Sequence, residues 1–162
     1  PYLVKALNHV RSPWKLIVAG DGSLRDRYVN LARRWFDSER VEFRGWLSPT
    51  ELANCFHECS LLVLTSVCPE AFGKVGPEAM AHGRPVVAFN VGGIPDWLQD
   101  GENGFLVKPK DWRQLAEKID NLLSDCSLRL RLGLNGRAFV ASHFSPTEHI
   151  RQLLTVFERV RG

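Results

Sequence analysis

The stretch Leu61-Leu62-Val63-Leu64-Thr65-Ser66-Val67-Cys68-Pro69-Glu70-Ala71-Phe72-Gly73-Lys74-Val75-Gly76-Pro77-Glu78-Ala79-Met80-Ala81-His82-Gly83-Arg84-Pro85-Val86-Val87-Ala88-Phe89 reads as strand, glycine loop, short helix and strand. Its two end runs are apolar on successive residues. That pattern suits parallel strands covered by helices on both faces, whereas a sheet with one wet face would alternate. Outward from this unit, Leu16 to Ala19, Val41 to Phe43 and Phe105 to Val107 repeat the signal, with helical segments between them. Strands alternating with helices predict an α/β domain of three layers built on a parallel sheet. Five strands are visible, and a sixth is expected upstream. The chain opens at Pro1 and its only methionine is Met80, so an excised part of a longer protein is expected. No linker, repeat or low-complexity segment divides it, and residues 1–162 read as one domain.

Helix starts are written in the sequence. Ser48-Pro49-Thr50-Glu51 and Ser145-Pro146-Thr147-Glu148 each supply a capping serine, a proline in the first turn and a glutamate placed to close a capping box. Asp111 caps a third helix whose Trp112, Leu115, Ile119, Leu122 and Leu123 form a core stripe. The last helix carries a second stripe of Ile150, Leu153, Leu154, Phe157 and Val160 beside Arg151, Glu158, Arg159 and Arg161. An apolar face left open there would favour self-association of the fragment.

Composition excludes more than it identifies. With 44% hydrophobic and 24% charged residues over 162 positions, the chain can bury a core. Its charge of +3, from 21 basic and 18 acidic residues, is too small and scattered for a nucleic-acid footprint. No apolar run approaches the roughly 20 residues of a membrane helix. Cys55, Cys59, Cys68 and Cys126 show no paired spacing, which points to reduced thiols and a cytoplasmic setting.

Glycines punctuate the ends of the predicted strands at Gly20 and Gly22, Gly73 and Gly76, and Gly92 and Gly93. In a doubly wound, Rossmann-like sheet, ligands bind beyond those carboxyl ends. Pro77 suits a first helical position, which would leave amides near Val75, Gly76 and Glu78 free for a phosphate. Lys74 adds positive charge. Glu78 can accept from ribose hydroxyls and Glu70 from another polyol, so the set suggests a sugar nucleotide.

From Glu70 to Ala88 the sequence resembles the E-x(7)-E motif of the retaining family 4, or group 1, glycosyltransferases, enzymes of the two-domain GT-B fold. Val91-Gly92-Gly93-Ile94-Pro95-Asp96 is similar to the family's Gly-Gly loop, with aspartate where glutamate is usual. Asp100 to Val107, Leu16 to Gly22 and Val41 to Trp46 are similar to its neighbouring strands and turns, so the likeness spans nearly the whole chain. It implies the carboxyl-terminal, donor-binding half of such an enzyme. On that likeness Glu78 would bind the ribose of a UDP-, GDP- or ADP-sugar, and Glu70, as the catalytic-site carboxylate, would contact hydroxyls of the transferred hexose. The amides of Phe72, Gly73, Lys74 and Val75 would hold sugar and phosphates, and Gly20, Gly22, Arg44, Gly45 and Trp46 would lie by the base. Neither a metal nor another cofactor is implied. A glycan, lipid-linked or small-molecule acceptor, and a catalytic histidine, would belong to an amino-terminal domain. The family's diphosphate-binding arginine and lysine would lie upstream, and the fragment alone is expected to transfer nothing. A lipid-linked acceptor would bring the longer protein to a membrane surface.

Other readings remain beside this one. A GT-B epimerase would need an acidic proton-shuttling site, a glycan phosphorylase a pyridoxal phosphate lysine, and a non-catalytic nucleotide-binding module a complete diphosphate site. Gly20-Asp21-Gly22 starts like a dinucleotide fingerprint, yet Arg25 stands at the third glycine. Cys55, His57 and Cys59 do not share one helix face, which argues against a metal. His82, His143 and His149 read as capping, packing or surface residues. The tryptophans at 14, 35, 46, 97 and 112 read as core or domain-interface anchors.

Overall fold

Strands form where the apolar runs stand: β1 (Leu16–Ala19), β2 (Val41–Gly45), β3 (Leu62–Leu64), β4 (Val86–Phe89) and β5 (Gly104–Val107). They are seen in a computed structural model that describes residues 1–161, the side chains of Pro146, Glu148, His149, Gln152 and Arg161 excepted. The helices are α1 (Tyr2–Leu7), α2 (Arg25–Trp35), α3 (Pro49–Glu58), α4 (Val75–Ala81), α5 (Trp112–Ser124), α6 (Cys126–His143) and α7 (Pro146–Arg161). Every strand pair is parallel, as expected for strands returned by helices. The ladder is nevertheless interrupted. β1 pairs with β2, β3 pairs with β4 and β4 with β5, but β1 and β3 are not bonded to each other. Both instead line a cleft of about 660 Å³.

The wholly buried β4 divides the core by its alternating side chains. Val87 and Phe89 join Leu115, Ile119 and Leu122 of α5 in one cluster. Val86 and Ala88 join Phe56 of α3, Met80 of α4, Ile94 and Trp97 in the other. These clusters are the two interfaces of a three-layer domain, and each buried Val, Leu, Ile, Phe or Met side chain in them contributes about 1.5 to 3 kcal/mol. The α5 stripe therefore lies where its periodicity predicts, and Asp111 accepts from the amides of Arg113 and Gln114 at its start. Ser48 and Glu51 form the full capping box of α3. The box expected from Glu148, and the placing of His149, lie outside the described residues.

One helix start differs from expectation, and one helix has no periodicity in the sequence to announce it. α4 begins at Val75 and not at Pro77. Gly73, at φ +73°, turns the chain early, and Gly76 N already donates to Gly73 O at 2.9 Å. Pro77, third in the helix, lacks only an N–H that the first turn leaves unpaired. α6 covers Leu128-Arg129-Leu130-Arg131-Leu132, whose alternation imitates a strand. Its register follows from packing: Gly133 lies against the Gly83 carbonyl, and Gly136 against Met80. A Cβ at Gly133 would stand 2.1 Å from that oxygen.

The stripe of α7 is exposed, with Phe157 at 63% and Val160 at 80%. Trp14 and Trp97 are buried, Trp112 packs against the core, and Trp35 and Trp46 are exposed. His82 caps α4 and packs on Phe56, and His143 stacks on Phe139.

Asp120 of α5 pins the loop ahead of β1, accepting from Arg11 N at 3.2 Å, Ser12 N at 2.9 Å and Ser12 Oγ at 2.7 Å. The Ser12 hydrogen bonds hold its carboxyl below the usual aspartate value. The folded chain thus binds this proton less readily than the unfolded chain does, and the stabilisation, present above the unfolded value, fades as pH falls through the folded one. Asp120→Asn should cost about 1 kcal/mol at neutral pH. Urea titrations of both proteins should show that difference shrinking as pH falls below the ordinary aspartate range.

Candidate functional site

The loop between β3 and α4 carries Glu70 and leads to Glu78 one turn into the helix. Glu70 is half-buried and accepts from Ser66 Oγ at 3.3 Å. Glu78 is exposed and pairs with no side chain among the described residues. The amides of Gly76 and Glu78, expected as free donors, are taken by Gly73 O and Lys74 O, because the helix starts earlier. Among the described residues the amides of Phe72, Gly73, Lys74 and Val75 donate to no backbone carbonyl or side chain. They form a run of four open donors between the two glutamates, a form suited to anionic oxygens.

This run is held from behind by residues that are distant in sequence. Gly92, at φ +55°, lies against the Glu70 backbone, and Gly93 N donates to Glu70 O at 2.8 Å. Trp97 is fully buried, and its Nε1 donates to Phe72 O at 2.6 Å. Its ring covers Gly76 so closely that a Cβ there would stand 2.1 Å away. Buried Asn103 in turn donates to Trp97 O at 3.0 Å and accepts from Gln99 N at 2.8 Å. The sequence marks Trp97 only as a core or domain-interface anchor and gives Asn103 no role at the site. The Gly-Gly loop nearby was the one local signal for them.

The other expected residues gather at the ends of β1 and β2. Gly20 N donates to Gly45 O at 2.6 Å, which joins the two turns, and both glycines have positive φ. Gly22 follows with its amide on Asp21, and Trp46 is 74% exposed beside them. Arg44 points into an ion-pair cluster: Nε lies 2.9 Å from Glu42 and Nη2 2.6 Å from Glu58. Its guanidinium holds the Glu42 carboxyl below the usual range. No described contact joins the two groups of residues, but Ala19, Arg44, Leu64 and Val75 line the same cleft between the strand sets. The Cys59 thiol, pushed up to about 11 by burial with Cys55 and Glu58 beside it, is protonated at neutral pH. Among the described residues, no three His, Cys, Asp or Glu side chains are grouped to hold a metal. No helix among them is long and apolar enough to cross a membrane.

Residues 1–139 match the family described as glycosyl transferases group 1. An uncharacterized glycosyltransferase of Methanocaldococcus jannaschii is 34% identical over 98% of this chain, which covers 44% of that protein. The crystal structure of Anabaena HepE in complex with UDP and glucose superposes with a TM-score of 0.87 at 28% identity, over 98% of this chain and 44% of HepE. The crystallised C-terminal domain of a group 1 glycosyl transferase from Francisella tularensis superposes at 0.79 with 28% identity, over 90% of this chain and 78% of that domain. The chain thus spans less than half the length of the first two. Its parallel strands, its helical layers and its sequence agree on one assignment: the chain belongs to the group 1 glycosyl transferases and has the α/β architecture of a GT-B domain.

Proposed function

We propose that this chain binds the donor in a retaining hexosyl transfer, a nucleotide-diphosphate sugar whose base is uracil ahead of guanine or adenine. The observation that carries the reading is the run of open amides from Phe72 to Val75, set between Glu70 and Glu78 and backed by Gly92, Gly93 and Trp97. Four N–H groups on one loop supply a charge-neutral cradle for diphosphate and sugar oxygens without desolvating a cation. Lys74, exposed at the same loop, adds a positive charge toward the diphosphate. Glu78 accepts from the ribose and Glu70 from the hexose hydroxyls, each carboxylate having lone pairs to spare. Gly20, Gly22, Gly45 and Trp46 flank the base, and Arg44 keeps the β2 end in place through its two carboxylates. HepE, crystallised with UDP and glucose, supports UDP as the first donor to try.

Retention follows in this scheme from same-face attack assisted by the leaving diphosphate, with no metal. The acceptor, a glycan, a lipid-linked sugar or a small molecule, docks on a separate amino-terminal domain, and the reaction takes place in the cytoplasm. A lipid-linked acceptor places it at the membrane surface. The exposed α7 stripe is the face through which the isolated chain self-associates.

The test is ligand-observed NMR with UDP-, GDP- and ADP-sugars and NAD. One sugar nucleotide should bind, and Glu78→Gln should weaken it about tenfold or more while leaving the fold intact. Glu70→Gln should weaken the sugar nucleotide but leave nucleoside diphosphate binding within about twofold. Binding of NAD alone, or undiminished binding by Glu78→Gln, would remove the reading.

A further inference from the structure

We propose that His57 and His82 form a two-imidazole site for a borderline divalent transition-metal ion, zinc above all, at the end of the sheet away from the donor loop. His57 shares no helix face with Cys55 and Cys59, but the fold brings it against a ring from another helix. The two ring centres stand 5.0 Å apart, with planes crossing at 89°. When two histidines share a tetrahedral zinc, each nitrogen lies about 2.0 to 2.1 Å from the metal, which sets the ring centres roughly 5 Å apart. The spacing found is the spacing a shared ion needs. The outer torsion of histidine is broad, so turning one ring until both nitrogens face a common point costs little.

Ring nitrogens separate this pair from the other described histidines. His9 Nδ1 lies 3.0 Å from Lys5 O, and His143 Nδ1 lies 3.0 Å from Phe139 O. Among the described residues, no polar group is hydrogen-bonded to either ring of the pair. Their lone pairs are therefore open to a metal. The two residues are nevertheless held in place from below. Arg84 Nη2 donates to His57 O at 3.1 Å, tying the end of α3 to the segment between α4 and β4. The His82 ring lies 5.4 Å from that of Phe56, which is only 5% exposed. The neighbouring carboxylate of Glu58 is turned to Arg44, at 2.6 Å, and leaves the imidazoles to themselves.

Donor type selects the ion. Neutral imidazole suits zinc, nickel and copper, whereas magnesium and calcium take oxygen ligands. The carbonyl end of the ten-residue α3 adds a field that favours a cation. His57 is exposed and His82 half-buried, so waters complete the shell and the ion stays exchangeable. Position sets what the ion does. His57 ends α3 ahead of β3 and His82 caps α4 ahead of β4, so the pair stands at the amino ends of two paired strands. The amides of Phe72 to Val75 follow the carboxyl end of β3 instead. Zinc here clasps two helices that share a core cluster, away from the donor, and stabilises the folded chain by binding it in preference to the unfolded one.

The probe is zinc chloride titrated into the chain with no sugar nucleotide present, followed by NMR of the histidine ring protons. Signals of His57 and His82 should shift together and saturate, those of His9 and His143 should stay, and magnesium chloride should move none of them. His57→Gln and His82→Gln should each weaken zinc binding about tenfold or more, the loss that even an outer-sphere partner brings. Saturating zinc should also raise the urea midpoint of the parent but not that of His57→Gln. His57 is exposed, so this variant keeps the fold even if His82→Gln, which loses its contact with Phe56, does not. The proposal is overturned if neither ring moves at millimolar zinc. It is equally overturned if His57→Gln binds zinc as tightly as the parent, since the thiols would then hold the ion. Neither result depends on whether a sugar nucleotide binds.

Discussion

Trp97→Ala should destabilise the fold by about 4 kcal/mol, the cost of emptying a fully buried indole site that its surroundings cannot refill. The ring covers Gly76, the backbone carbonyl is held by Asn103, and the indole N–H donates to Phe72 O. A conservative change separates packing from the hydrogen bond. Trp97→Phe keeps an aromatic ring near Gly76 but removes the donor, and should cost about 1 to 2 kcal/mol. Thermal and urea unfolding of the two variants measures both figures. If Trp97→Ala unfolds within about 1 kcal/mol of the parent, the indole is not the support of the 70–76 loop.

Gly92→Ala should have the second largest effect. Two separate costs meet at this residue. Its φ of +55° charges any L side chain about 1 to 2 kcal/mol. In addition, a Cβ would stand 2.1 Å from the Glu70 oxygen and 2.6 Å from its nitrogen, both backbone atoms that cannot swing away. The 91–93 turn and the Glu70 loop must therefore separate, breaking the bond from Gly93 N to Glu70 O. A total of about 3 kcal/mol is expected, with faster exchange at the Gly93 amide. Gly83→Ala provides the control. Gly83 has φ +71° and nothing within 4 Å of an added Cβ, so it carries the backbone cost alone, about 1 kcal/mol. If the two variants were equally stable, the close approach at Gly92 would not matter. For the donor reading, Gly92→Ala should also weaken sugar-nucleotide binding, because it moves the carboxylate and the open amides together.

The strands, the caps and the order of motifs were legible because they depend on near neighbours. An apolar run such as Val86 to Phe89 dictates a strand buried on both faces, and Ser48 with Glu51 closes a capping box whatever surrounds it. The residues from Glu70 to Ala88, with the Gly-Gly loop after them, carried the family in the same local way. α4 starts at Val75 and not at Pro77, because proline is tolerated through the whole first turn and the turn at Gly73 sets where the helix begins. α6 offered no helical periodicity to read. Its leucines and arginines alternate like a strand, and its buried face is made by Leu132, Gly133 and Gly136 against α4, a contact between segments some fifty residues apart.

By itself, then, the sequence determined the α/β class, the placing of five strands, the capped helices and the glutamates at either end of the candidate loop, since each follows from the chemistry of a few consecutive residues. Only the tertiary structure decided which amides stay open, that Trp97 and Gly92 hold the loop, that Arg44 is tied to Glu42 and Glu58, and that the ladder parts between β1 and β3. Those outcomes depend on which distant groups compete for the same donors and the same space, and that competition is settled only when the layers pack.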